Sequence, residues 1–131
     1  MSRLLPPRRL LASCARGWQI HELIDGTVHL VLGTPGLVFA RSEFAIFTGL
    51  LTAGDRPLPA EDVALAILSP TRAIAYLAIH ERLVIQFDQL VITVRPADLP
   101  LLLGLCRKAR SALEGPCLVP FPAGAEQLRW N

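Results

Sequence analysis

Three histidines and the acids near them are the residues whose chemistry is most distinctive in this chain of 131 residues. His21 and His29 flank Asp25-Gly26, and Asp-Gly between two apolar runs is a strong signal for a two-residue hairpin turn. A two-residue loop sets Ile24 opposite Thr27, Leu23 opposite Val28 and Glu22 opposite His29. A carboxylate facing an imidazole can act as a proton-transfer dyad or as half of a metal site. A metal centre needs a third and a fourth ligand, and neither stands at a suitable spacing. A cross-strand polar pair on a solvated face is therefore the favoured account of Glu22 and His29. His80, beside Glu81, reads as a residue of a solvated turn.

Other reaction signatures are weaker. No GxSxG nucleophile motif occurs, and Gly33-Thr34-Pro35-Gly36 lacks the GK[ST] ending of a phosphate loop. Glu61-Asp62 is an acidic pair at an expected helix start, where the dipole favours negative charge. Cys106 lies inside an apolar helical run and reads as a small buried hydrophobe, while Cys14 and Cys117 fall in segments without a neighbouring base. Three cysteines without CxxC spacing form neither a disulfide framework nor a zinc knuckle. The expectation is therefore a chain with reduced thiols, no cofactor and no metal, working in the cytoplasm.

Composition supports a folded domain. Apolar residues make up 52% and charged residues 18%, enough to build a core. The most apolar stretches, 63–68 and 99–106, fall well short of the ~18–20 residues a membrane span requires. Leu11-Ala12-Ser13-Cys14 resembles a lipoprotein cleavage box, but Pro6, Pro7, Arg8 and Arg9 occupy the place of the apolar stretch such a signal needs. Net charge is only +2, too small to imply a polyanionic ligand by itself. Among basic residues Arg outnumbers Lys108 heavily, and with abundant Ala, Leu and Pro this suggests a bacterial, GC-rich source.

The elements that must position these residues read as α+β. Residues 1–16 carry Arg3, Arg8, Arg9, Arg16 and two prolines without a strand or helix period, and are expected to form a flexible basic arm. Residues 17–116 are expected to form a single α+β domain, with 117–131 as a C-terminal tail. Strands are expected over 17–24, 27–32 and 37–40. A helix then begins near Ser42, which can cap it, and ends at Gly54, with Phe44, Phe47, Leu50 and Leu51 at helical spacing. Residues 55–71 form a connector; Ala60–Leu68 reads as helix from its acidic start, against the strand-like alternation of Val63, Leu65 and Ile67. A shift of 55 positions then superposes apolar positions such as Val28 on Leu83, Leu30 on Ile85 and Phe47 on Leu102. Residues 17–54 and 72–115 are thus a repeat of pattern, although Ala73–Ile79 also fits a helix capped by Ser69. A second helix is expected from about Pro96 to Glu114. The fold expected is an antiparallel sheet from two similar strand-strand(-strand)-helix units, with two main helices on one face.

Leu99, Leu101, Leu102, Leu103, Leu105 and Cys106 cover more than one side of the second helix. This singles out Leu99, Leu102, Leu103, Arg107 and Arg110 as candidate partner-binding residues of a non-enzymatic interaction or regulatory protein that pairs with itself. Two other functions are compatible with the chain. One is nucleic-acid binding through the Arg-rich arm and the basic helix end at Arg107, Lys108 and Arg110; the other is a small enzyme built around Glu22 and His29.

Overall fold

The computed structural model describes residues 8–33 and 36–114. The tail at 117–131 therefore lies outside the described residues, as do the first seven residues of the expected arm. The architecture is α+β, and the order of four strands followed by a helix occurs twice. Strands β1 (Arg8–Ser13), β2 (Gln19–Leu23), β3 (Val28–Val31) and β4 (Leu37–Phe39) form one antiparallel sheet in sequence order, followed by helix α1 (Arg41–Gly54). Strands β5 (Val63–Ser69), β6 (Arg72–Leu77), β7 (Arg82–Phe87) and β8 (Leu90–Val94) form a second such sheet, followed by helix α2 (Asp98–Glu114).

Contacts divide the chain into two compact units. One takes the residues up to Phe44 together with those from Leu105; the other takes Ala45–Gly104. Each unit has its own core. In the first, Ile20, Val28, Leu30 and Phe39 are buried on one face of the sheet, and the Phe39 ring meets Phe44 at 6.0 Å. Arg41, the first residue of α1, donates a 2.6 Å hydrogen bond to the Leu113 carbonyl in the last turn of α2. In the second, Ile74, Leu83, Ile85 and Phe87 are buried. Here Phe47 packs edge-on against Phe87 at 5.5 Å, and Gly54 lies so close to Ile74 that a Cβ would stand 2.6 Å from its Cδ1.

Two segments differ from expectation. Residues 8–13, expected in the arm, are β1; residues 63–69, expected as helix, are β5. Both strands carry a β-bulge, between Leu10 and Ala12 in β1 and between Ala64 and Ala66 in β5. The extra residues, Leu11 and Leu65, are both buried. At β1 the bulge breaks the period of two by which a strand is read from sequence; at β5 the acidic start does not open a helix, and Asp62 accepts from the Ala78 backbone N–H instead. Residues 73–79 resolve the other ambiguity, with 73–77 in strand β6.

The β2–β3 loop also differs. It closes with Gly26 N–H donating to the Leu23 carbonyl at 2.8 Å and Leu23 N–H donating to the Thr27 carbonyl at 2.9 Å. Gly26 alone in this turn has positive φ (+89°), so three residues rather than two form the loop. Asp25 supports it by accepting from the Thr27 backbone N–H and hydroxyl. One extra loop residue shifts every cross-strand pair by one.

Candidate interaction surface

That shift separates Glu22 from His29. Glu22 pairs with Val28, and His21 stands opposite His29. Adjacent residues on a strand point to opposite faces, so Glu22 and the two histidines lie on different sides of the sheet. Glu22 is instead an anchor for two arginines. The Arg9 Nε and Nη2 both donate to its Oε1, at 3.1 and 2.7 Å, and Arg41 Nη1 lies 3.6 Å from Oε2. His21 shares a 3.0 Å hydrogen bond with Gln19, and the His29 ring sits against Gly36, where a Cβ would collide with it. The alternative Glu22–His29 dyad is not assembled.

The other candidates are equally committed. Asp62 accepts from the Ala78 backbone N–H at 2.7 Å, and Cys106 is fully buried. Among the described residues, no group of three or more His, Cys, Asp or Glu side chains is placed to hold a metal ion. Arg110 pairs with Glu114 one turn away at 2.7 Å, while Arg107 is exposed on α2. Arg16 of the expected arm stacks over Trp18 at 5.0 Å.

The apolar helix surface is a further correction. Leu99, Leu102 and Leu103 are 3%, 0% and 2% exposed, so the three leucines expected to meet a partner are already core. Leu101 is the neighbour that reaches solvent, at 37%. A helix apolar on most sides is buried on most sides, and here the burial is within the chain.

The exposed apolar surface lies elsewhere, on the second sheet. Across its four strands Ile67 pairs with Ala73, Ala73 with Gln86, and Gln86 with Val91. A second row runs Ala64, Ala75, Val84, Thr93. Alternation puts both rows on the face away from the buried Ile74, Leu83, Ile85 and Phe87. Ile67 is 68% exposed and Val91 63%, at opposite edges of the sheet, and the four central side chains are half-buried. No charged residue occurs in either row. The corresponding face of the first sheet differs: Leu10 and Val38 are exposed at its edges, but His21 and His29 stand between them.

The β5 edge of the second sheet is protected. β5 is interrupted by two bulges, and Arg56 Nη1 donates to the Leu65 carbonyl at 2.9 Å. Bulges and edge cations are devices that block strand addition.

The signal for this surface was present in the composition of the strands. Residues 72–77 (RAIAYL) and 90–94 (LVITV) are largely apolar at both alternating sets of positions, while 82–87 (RLVIQF) sets Arg82, Val84 and Gln86 on the outer one. Antiparallel strands with one solvated face ordinarily alternate apolar and polar. Among the described residues, no helix is long and apolar enough to cross a membrane. No family model, curated protein or solved structure matches the chain.

Proposed function

We propose that the chain is a non-enzymatic interaction protein whose working surface is the outer face of the β5–β8 sheet. The observation that carries this reading is the pair of rows that present Ile67 and Val91 to solvent without a charged residue between them. Contiguous apolar patches on soluble proteins mark sites of association. This replaces the helix surface at Leu99, Leu102 and Leu103, whose side chains would have to leave the core to meet a partner. The separation of Glu22 from His29 removes the constellation on which an enzymatic reading rested. Nucleic-acid binding gains no support from Arg9 and Arg110, since both are engaged by carboxylates.

The test is site-specific photocrosslinking in cells of the source organism. A photoreactive side chain at Ile67 or Val91 should give a discrete protein adduct. The same group at exposed Glu61 or Arg107 should give none. Absence of adducts at 67 and 91, or equal yields at all four positions, contradicts the reading.

A further inference from the structure

We propose that residues 8–54 and 63–114 are two copies of one unit of four strands and a helix, fused through the exposed connector, and that each copy completes the other's core with its helix. The likeness of the copies extends to backbone detail. β1 and β5, the first strand of each copy, both carry a bulge with a buried leucine at the extra position, Leu11 in one and Leu65 in the other. Gly26 and Glu81, 55 positions apart, both have positive φ. Each donates its backbone N–H to the carbonyl three residues before it, Leu23 at 2.8 Å and Ala78 at 3.2 Å. Gly33 and Asp88, again 55 positions apart, also share positive φ. That region strains any side chain, so Glu81 and Asp88 keep a conformation that glycine supplies without cost in the first copy. Buried positions follow the same shift through sheet and helix: Leu30 matches Ile85, Phe44 matches Leu99 and Leu50 matches Leu105. Unrelated hairpins can share a turn type, but nothing obliges them to share loop lengths, a bulge and a core register at one spacing.

The helices are exchanged between the copies. Phe47, Leu50 and Leu51 of α1 belong to the first copy, yet they are buried and fall within the unit built on β5–β8. There Phe47 meets Phe87 and Gly54 lies against Ile74. Leu105, Cys106, Ala109 and Leu113 of α2 belong to the second copy, yet they are buried and fall within the unit built on β1–β4. Arg41 secures that end, since the Leu113 carbonyl accepts its 2.6 Å hydrogen bond and Glu22 of β2 lies 3.6 Å from it. The inner face of each sheet is thus an interaction surface whose partner is the helix of the other copy, and neither half of the sequence holds a complete core.

Cutting the connector of the full chain reads the exchange. A specific protease site inserted between Pro59 and Ala60, both exposed, should leave the uncut chain folded. After cleavage the two fragments should elute together at the mass of the intact chain and unfold in one transition. Its midpoint should rise with concentration, while that of the uncut chain stays fixed. If the insertion unfolds the uncut chain, the same site after Leu58 replaces it. Fragments that separate without denaturant, whether folded or precipitated, overturn the exchange. The likeness of the copies is read by transplanting a turn. His80→Asp together with Glu81→Gly, which puts the turn residues of the first copy into the second, should melt at or above the wild-type temperature. A marked fall in melting temperature for this variant overturns the equivalence of the two copies.

Discussion

Ile67 lies directly opposite Ala73 across the β5–β6 ladder, while Ala66, its neighbour, faces the buried Ile74. The β5–β6 pair thus has an isoleucine on each side of the sheet, one inside the core and one in solvent. Exposing an Ile that a polar residue could replace lowers solubility without adding to the core. Its retention is understandable where the face meets another surface.

Helix α2 is core, and its substitutions should behave accordingly. Leu102→Ala should lose about 2–5 kcal/mol in urea denaturation, as expected for a fully buried leucine. Leu103→Glu should fail to fold, whereas Leu101→Glu should retain nearly the wild-type midpoint. A folded, merely monomeric Leu103→Glu chain would restore the helix as an interface.

Leu11 and Leu65 fill the bulges of β1 and β5 from the inside. Each replaced by alanine should cost about 2–4 kcal/mol by chemical denaturation. An arm outside the core predicts no effect at Leu11, so a neutral Leu11→Ala would contradict the assignment of β1.

The carboxylate of Glu22 serves two arginines and no histidine. Glu22→Gln should destabilise by about 1–3 kcal/mol, because Arg9 and Arg41 lose a shared, largely buried partner. A double-mutant cycle between Glu22→Gln and His29→Ala should show coupling no larger than about 0.5 kcal/mol. Stronger coupling would revive the dyad.

What was legible in the sequence follows from periodicity. Phe44, Phe47, Leu50 and Leu51 marked α1 because four buried residues recur at helical spacing, and the run ending at Glu114 marked α2 in the same way. β1 is hidden by its bulge, since Leu11 and Ala12 are both buried and no alternation remains, whereas β5 keeps the alternation of Val63, Leu65 and Ile67 and is obscured by the acidic pair Glu61-Asp62 before it. The register of His29 was missed because Asp25-Gly26 is compatible with two loop lengths, which differ in the φ of Asp25. The surface was missed because Ala73 and Ala75 read as core-compatible, and a single sequence does not say which face of a doubly apolar strand is covered.

Asp88 links two turns. It sits at φ +60° between β7 and β8 and binds Arg72 at 3.0 and 2.8 Å and the Thr71 hydroxyl at 3.1 Å. The Arg72 hydrogen bond, aided by Thr71, holds its carboxyl below the ordinary aspartate range. A depressed folded pKa contributes stability that is complete above the unfolded value and lost as pH falls through the folded one. Wild type should therefore lose a small increment of stability on acidification through that window, and Asp88→Asn should lack it. Urea midpoints followed downward from neutral pH check this; identical acid profiles would show that the contact carries no linkage.

The role of the outer face of the β5–β8 sheet is tested most directly by comparing photocrosslinking yields at Ile67, Val91, Leu101 and Val38. Discrete protein adducts should form at Ile67 and Val91, with none at Leu101 or Val38. Adducts confined to Leu101 or Val38, or none at any position, would contradict the account.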